Sequence, residues 1–494
     1  MSSARPMNIP LTLPRAAAKL QLQEDQTGNG VAMFTAIYVF VIVSRLPELA
    51  AFYVRGNAYL ALLGAAASFI GVFFAGNLLK GFNTTQGVLL ILFTMWMGVA
   101  TVFGEWRGGS IAVITGLWVK SLIAYFLVTG AVRTLKHAQM MMAAMGWATF
   151  LVVAQSIFFG SAGGDRFQVS IEGAAGLTFA NANGLALSLA LGLPFGLYLA
   201  MHGKPVLRSF SILMVLIGMV SILRTGSRGG LLVVSLLFIF VFFRAAVPQK
   251  VLLVLGSIVF MAAAVAVIPR SSMERFKTLF GKVESLEAAS AAESSADRSE
   301  LLQESLRITA AHPLFGVGPG NFSSYAAGIA AKKGKRSGWQ ETHNSYTKVS
   351  SETGIPGVML FASVLLFSLA KVRGVEKLAR MKGFERLSDM CFCLFLSVLA
   401  LTVYDFFDSN PFSFNVPVMA ALAASIVPLV AAHLQQANGQ LASAVPNAFP
   451  VGYWRPNGSK ATLNPNNQAG RNGMAGQAQS NRRLPLQNWQ TRRP

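Results

Sequence analysis

Long apolar runs recur along most of the chain and alternate with short polar segments. Each run is continuous and lacks the period-two alternation of barrel strands, so the runs predict helices. A helix needs roughly 20 apolar residues to cross about 30 Å of hydrocarbon, and the runs approach that length. We predict an all-α, polytopic membrane protein with about twelve spans, at residues 31–52, 57–76, 86–104, 110–132, 139–160, 183–201, 207–224, 229–247, 251–268, 354–371, 390–406 and 414–433.

Positive charge predicts how these spans are oriented. Lysine and arginine concentrate in four loops, 133–138, 202–208, 244–250 and 371–389. The positive-inside rule assigns these loops to the cytoplasm. An even number of spans then leaves both termini cytoplasmic, and it puts four segments on the outer face: 161–182, the turn 225–230, 269–353 and 405–414.

The same pattern predicts the organisation of the chain into three parts. We predict a cytoplasmic N-terminal segment at 1–30 and a transmembrane domain at 31–433, whose large periplasmic segment covers about 269–353. Residues 434–494 are rich in Asn, Gln, Gly, Pro and Arg and lack apolar periodicity, which predicts a disordered, basic cytoplasmic tail.

Composition narrows the class of protein. The chain is 53% hydrophobic and 12% charged, with a formal net charge of +21. That charge would indicate nucleic-acid binding in a soluble protein, but here it follows membrane topology, so no nucleic-acid partner is predicted. No His, Cys or Asp cluster has the spacing of a metal site, and neither a metal nor a cofactor is predicted.

The large outer segment contains its own local structure. "ADRSELLQESLRITAAHP" predicts a short amphipathic helix with a capping box from Asp297 to Glu300, an apolar face at Leu302 and Leu306, and an end at Pro313. The glycine-rich "LFGVGPGNF" that follows indicates a turn more than a phosphate loop. Before the helix, "KVESLEAASAAESSAD" is interpreted as a mobile hairpin or lid.

Helix starts on the outer face suit an anionic ligand. Helices beginning near Asn183, Arg228 and His343 would direct free amide groups and positive partial charge outward. Arg228 lies in "TGSRGG", where glycines let backbone approach a ligand, so the turn is either a diphosphate site or an ordinary turn with an interfacial arginine. Arg298 in the first turn of its helix would oppose the helix dipole unless an anion, Asp297 or Glu300 compensates it.

His343 lies directly before the tenth predicted span. Thr342 is predicted to cap a helix there, with Gly354 and Pro356 marking a kink. His343 would then lie in the first turn, where positive potential keeps an imidazole neutral. The residue is either a general base or a hydrogen-bonded structural histidine.

Lys120 lies near the middle of the fourth predicted span. It would need an ion pathway, an internal partner such as Asp405, or a lipid phosphate. Lys120 is the best argument for a second hypothesis, a transporter or lipid flippase. A third hypothesis, a membrane scaffold, would not need arginines and a neutral histidine on one face.

Four motifs follow one another in the chain: "GLTFANANGLA", "LRTGSRGGLL", "DRSELLQESLRITAAHPLFGVGPGNF" and "THNSYTKVSSETGIPG". In this order, from about Gly176 to Gly357, they resemble the O-antigen ligase and polymerase superfamily of bacterial inner membranes. The resemblance implies a glycosyltransferase that moves a glycan from undecaprenyl diphosphate to a hydroxyl at the periplasmic face, without metal or nucleotide sugar. The acceptor would be another glycan, the lipid A core or another hydroxyl.

The resemblance also assigns roles to residues. Arg228 and Arg298 match two arginines that contact the donor diphosphate, and His343 matches the histidine that acts on the acceptor hydroxyl. A donor or acceptor pocket is predicted around four further residues: Asn181, Asn183, Arg224 and Lys120. The first two match an asparagine-containing turn of the family.

Overall fold

Helices dominate the part of the chain that the computed structural model describes, which comprises residues 15–54, 59–163, 166–169, 181–277, 286–332, 334 and 340–444. Its α-helices are α1 (Arg15–Val43), α2 (Leu46–Val54), α3 (Leu60–Phe74), α4 (Thr85–Phe103), α5 (Arg107–Val113), α6 (Val119–Ala131), α7 (Leu135–Phe158), α8 (Ala182–His202), α9 (Pro205–Arg224), α10 (Arg228–Arg244), α11 (Val247–Val267), α12 (Arg270–Lys277), α13 (Leu286–Ala311), α14 (Phe322–Lys332), α15 (Ser345–Met381), α16 (Glu385–Tyr404) and α17 (Asn415–Ala444). A 3₁₀ turn (Leu78–Asn83) precedes α4, and a π-helical turn (Ile114–Trp118) joins α5 to α6. An antiparallel hairpin, β1 (Gly160–Gly163) and β2 (Arg166–Val169), follows α7.

The predicted all-α, polytopic fold is confirmed. Among the described residues, nine helices are long and apolar enough to cross a membrane. Two apolar helices, Gly28–Val43 and Leu60–Phe74, are shorter, and α10 has only 17 residues. These helices together correspond to the twelve predicted spans, so the difference between nine and twelve reflects helix length.

Burial separates central helices from peripheral ones. Residues 1–440 form one compact unit, in which α8 packs against α7, α9 and α16, while α15 packs against α4 and α16. The most apolar stretches of α8 and α16 are 78% and 83% buried, whereas that of α11 is 6% buried. The structure therefore has α8 and α16 at its centre and α11 at its periphery.

Helices at both ends of the chain extend beyond the predicted boundaries. Helix α1 begins at Arg15, within the segment predicted to precede the membrane. Helix α17 continues to Ala444, so the prediction of disorder from residue 434 is wrong for its first turns. The second compact unit is 441–494, of which only 441–444, the end of α17, lies within the described residues.

The predicted periplasmic helix is longer than expected. Helix α13 begins at Leu286, so Asp297 and Glu300 lie inside it and form no capping box. The Ala- and Glu-rich run that was interpreted as a hairpin or lid is helical from Leu286, because these residues have high helix propensity. The apolar face also differs: Leu306 is exposed, whereas Leu301 and Ile308 pack against α14 and the loop before it.

The glycine-rich loop after α13 wraps around the start of α15. The backbone N–H groups of Val317 and Gly318 donate to the carbonyls of Ser351 and Glu352, both at 2.9 Å. The buried carboxylate of Glu352 accepts from the N–H of Gly320 at 2.8 Å and from that of the first residue of α14 at 3.2 Å. The loop therefore satisfies protein groups, as the turn interpretation predicts.

Gly354 produces the predicted kink in α15. Its φ of 74° interrupts the helix, and the next N–H, that of Ile355, donates to the carbonyl of Pro313 at 2.7 Å. A Cβ at Gly354 would lie 2.0 Å from the carbonyl oxygen of Leu314. The kink therefore needs glycine both for its backbone conformation and for this close approach.

We expect Gly354→Ala to destabilise the protein by about 2 to 4 kcal/mol, because alanine disfavours positive φ and its methyl group would clash. Thermal unfolding in detergent measures the change. Gly328→Ala is the control, because that glycine lies in α14 and an added methyl group would meet no neighbouring heavy atom within 4 Å. An equal loss of stability in both variants would contradict this role for Gly354.

Candidate active site

Two helix starts meet at the end of α16. Asn181 caps α8 and Ser227 caps α10, each accepting a backbone N–H through its side chain. The hydroxyl of Ser227 donates to Oδ1 of Asn183 at 3.1 Å. The hydroxyl of Tyr404, the last residue of α16, donates to the carbonyl of Asn183 at 2.8 Å. The buried Tyr404 therefore holds the starts of α8 and α10 together.

The start of α15 is bound to the loop that follows α16. The N–H of Ser345 donates to the carbonyl of Asp405 at 2.7 Å, and its hydroxyl donates to the carbonyl of Asp408 at 3.0 Å. The cap of α15 is Asn344, whose side chain accepts two N–H groups, so the prediction of Thr342 as the cap is wrong. The asparagine sits two residues later and has the stronger capping preference.

His343 therefore lies just before the helix and not in its first turn. Its φ of 54° is a left-handed conformation, which histidine adopts more readily than most residues. Its backbone N–H donates to Oγ of Ser409 at 2.6 Å. The imidazole is half-buried and makes no hydrogen bond with a described residue, which leaves its nitrogens available to a ligand.

Arg228 is the first residue of α10 and is half-buried. The glycines around it serve packing: Gly226 has a φ of 61°, and a Cβ at Gly229 would lie 2.8 Å from Cβ of Phe407. Packing and backbone conformation thus explain why glycine occupies these positions, without a ligand that approaches the backbone. The predicted helix start at Arg228 is confirmed.

Arg166 joins this region from β2. Its Nη2 donates to Oδ1 of Asn183 at 2.8 Å, and its Nε donates to the carbonyl of Thr225 at 3.1 Å. Burial, together with the positive charges of Arg275 and Arg298, lowers the pKa of Arg166 to about 10. The fixed guanidinium of Arg166 therefore adds positive potential beside the starts of α8 and α10.

Arg298 approaches from α13. It lies well inside that helix, so the predicted conflict with the helix dipole does not exist. Burial and the nearby charges of Arg228 and Arg275 lower the pKa of Arg298. Its Nε is buried without a hydrogen-bond partner among the described residues. Neither Arg298 nor Arg166 forms an ion pair with a described carboxylate.

Four arginines, Arg166, Arg228, Arg275 and Arg298, thus form one arginine cluster. Like charges in a poorly solvated region repel one another, and an anion held between them would relieve that repulsion. The cluster is therefore suited to a strongly anionic group such as a phosphate.

His343 lies within the field of this cluster. Burial is the main cause that lowers the pKa of His343 from its ordinary value of 6.5, and the charge of Arg298 adds to it. Arg166 acts in the same direction, whereas Glu341 opposes it. The imidazole is therefore neutral at pH 7 and can accept a proton. The sequence predicts a neutral imidazole because of the positive potential of a helix start. In the structure, burial and the neighbouring arginines are the causes instead.

The remaining predicted pocket residues are placed differently. The guanidinium of Arg224 lies 4.0 Å over the ring of Phe167 and lines a cavity of about 320 Å³ between α7, α9 and α11. Lys120 is exposed and pairs with none of the described residues, so an internal pair with Asp405, one of the three possibilities for Lys120, does not form among them. One carboxylate oxygen of Asp405 is instead buried without a partner there.

The sequence interpretation missed Arg166, Arg275 and Tyr404. The first two lie in segments assigned to the outer face, where the positive-inside rule makes arginine unexpected. An arginine predicted on the outer face can therefore serve as a signal for a functional residue, because the positive-inside rule does not account for it. Tyr404 closes an apolar helix and carries no comparable signal.

Comparison with known proteins adds an independent finding. Residues 212–362 match the model of the family described as O-Antigen ligase. No curated protein matches the chain. The matched segment contains three of the four arginines of the cluster as well as His343. Over this segment the chain is similar to O-antigen ligases, and the match supports the superfamily that the four motifs resemble.

Proposed function

We propose that this multi-pass membrane protein transfers a glycan from undecaprenyl diphosphate to an acceptor hydroxyl at the periplasmic face of a bacterial inner membrane. The observation that carries the proposal is a neutral, half-buried His343 within the field of Arg298 and the rest of the arginine cluster. The distribution of positive loops favours cytoplasmic termini, with this cluster on the opposite side.

Arg228 and Arg298 would hold the donor diphosphate. A guanidinium can bind phosphate oxygens through two parallel hydrogen bonds, and two such groups match the two phosphates. Their charge would also stabilise the diphosphate as it leaves, without reorganisation of solvent. Arg166, which is fixed by Asn183, would contribute to the same potential.

His343 would act as the general base. It takes the proton of the acceptor hydroxyl while that oxygen forms a bond with the anomeric carbon of the donor. The bond from this carbon to the diphosphate oxygen breaks, and undecaprenyl diphosphate leaves with the bonding electrons. Attack from the side opposite the leaving group would invert the configuration of the anomeric carbon.

Reconstitution separates this proposal from a transporter. Purified protein in vesicles would receive a lipid-linked glycan, an acceptor and EDTA, since we propose a reaction without metal. A glycosyltransferase consumes the donor and releases undecaprenyl diphosphate, whereas a transporter delivers the donor unchanged to the other leaflet. Transport without consumption would contradict the proposal.

The accumulated intermediate in a deletion strain distinguishes two versions of the reaction. Long lipid-linked chains without attachment to lipopolysaccharide would indicate a ligase. Single lipid-linked repeats would indicate a polymerase in polysaccharide biosynthesis. The arginine cluster and His343 serve both versions, because both use the same donor.

The pH dependence of transfer tests the assigned base. Because the pKa of His343 is lowered, we expect the acid limb of the rate profile to have its midpoint below pH 6.5, the ordinary pKa of histidine. Arg298→Gln removes one cause of that lowering, so its normalised profile should decline at a higher pH than that of the wild type.

Arg307→Gln is the matched control, because Arg307 lies on the same helix, is exposed and pairs with Glu304. Its acid limb should coincide with that of the wild type. An unchanged acid limb in Arg298→Gln would show that the titrating group is not within the field of Arg298.

A further inference from the structure

Helices α8 and α10 lead from the arginine cluster to the other end of the bundle. Arg228 and Arg244 are the first and last residues of α10, about 24 Å apart at about 1.5 Å per residue. His202 ends α8 and contacts Asp389 at 3.3 Å, and Asp389 in turn contacts Arg244 at 2.8 Å. This end is the one that the positive loops predict to be cytoplasmic.

A cavity of about 350 Å³ opens at this end between α10, α15 and α16. It is lined by three arginines and four apolar residues: Arg244, Arg373, Arg380, Ile239, Phe240, Phe243 and Phe392. Phe243 is 73% exposed and Ile239 is 47% exposed, although both lie on a helix that belongs to the bundle. The cavity, which we call the lipid cavity, thus combines a cationic side with an accessible apolar side.

Ion pairs hold two of the arginines in place. The buried carboxylate of Glu376 pairs with both Arg244 and Arg373. Arg244 also pairs with Asp389, and its guanidinium lies 4.4 Å from the centre of the Phe392 ring. These contacts fix the guanidiniums and lower the cost of ordering them around a ligand.

Arg380 leaves the lipid cavity with excess positive charge. It is exposed, and among the described residues its guanidinium makes one hydrogen bond, of 3.4 Å to the carbonyl of Arg244. Three guanidiniums thus share two carboxylates, those of Glu376 and Asp389. The charge of Arg380 is therefore not neutralised by these two carboxylates.

We propose that the lipid cavity binds the phosphate of an anionic phospholipid from the surrounding leaflet. The phosphate meets Arg373 and Arg380, and the acyl chains lie along Ile239 and Phe243. Basic sites between membrane helices suit such head groups, and guanidinium suits phosphate better than ammonium does. The site is independent of glycan transfer, since it lies at the other end of α10.

Native mass spectrometry of the full-length protein in detergent tests this site by titration with phosphatidylglycerol and phosphatidylcholine. Phosphatidylglycerol should bind the wild type more tightly. Arg380→Gln should weaken its binding about fivefold, and Arg373→Gln with Arg380→Gln about 25-fold, at about fivefold per charge. The single variant guards against misfolding, because the guanidinium of Arg380 bonds to one backbone oxygen among the described residues.

Lys204→Gln is the matched control. Lys204 is exposed and lies two residues after His202, so the variant removes one charge at the same end of the bundle but outside the lipid cavity. It should bind phosphatidylglycerol as the wild type does. Equal weakening by Lys204→Gln, or equal binding of phosphatidylcholine to the wild type, would overturn the proposal.

Glycerol phosphate distinguishes a lipid from a free phosphate compound. It carries the head-group charge without acyl chains, so it should fail to compete with phosphatidylglycerol at equal concentration. Competition at equal concentration would show that the apolar side of the lipid cavity contributes nothing, and would contradict a lipid occupant.

Discussion

Replacing His343 with alanine is expected to slow glycan transfer by about 10²- to 10⁴-fold, the usual contribution of a positioned general base. Without the imidazole, the group that we propose as the acceptor of the hydroxyl proton is missing. The rate is measured with saturating donor and acceptor in vesicles. Loss of the imidazole itself should cost little stability, because it bonds to none of the described residues, and the thermal midpoint in detergent shows what alanine costs at this position.

Backbone conformation requires a second variant. His343 has a φ of 54°, which alanine disfavours, so His343→Ala alone could displace the loop. His343→Asn tolerates that conformation but supplies no base of suitable pKa, and it should be as slow. His312→Ala is the control, because His312 bonds to Tyr325 away from the cluster. A normal rate in His343→Asn would exclude His343 as the base.

Removing Arg228 or Arg298 is expected to produce the second largest loss. Each Arg→Gln change should lower kcat/KM by about 10- to 150-fold, corresponding to about 1.5 to 3 kcal/mol for a hydrogen bond to a charged group. Affinity for the product undecaprenyl diphosphate should fall in parallel, because we propose that the same guanidiniums bind it. Inhibition of transfer by added product measures that affinity.

Arg270→Gln is the control, since Arg270 is exposed at the start of α12 and outside the cluster. Lysine at position 228 or 298 should restore part of the loss, because it keeps the charge but not the paired hydrogen bonds. Product affinity that is unchanged in Arg228→Gln and Arg298→Gln would mean that the diphosphate binds elsewhere.

Much of the fold could be predicted because membrane helices are specified by local composition. Each predicted span corresponds to a helix, and Gly354 kinks α15 as its glycine and nearby proline predict. Helix boundaries in polar segments differ more from the prediction. The sequence predicts a helix start at Asp297, but the residues before it have high helix propensity. Helix α13 therefore begins earlier, at Leu286.

The candidate site was predictable only where a motif carried it. Arg228, Arg298 and His343 stand in recognisable motifs, and the structure brings them into one electrostatic environment. Arg166 and Arg275 joined that environment through tertiary packing, which no local pattern encodes. The exposure of Lys120 could not be predicted either, because the sequence does not show which side of a helix faces its neighbours.

The anchoring of His343 also limits how the matched segment can be exchanged between proteins. Its N–H binds Ser409, and the next helix start binds Asp405 and Asp408, all of which lie beyond the matched segment 212–362. A chimaera that imports this segment alone would import His343 without its anchor. Domain exchange must therefore carry residues 405–409 with it.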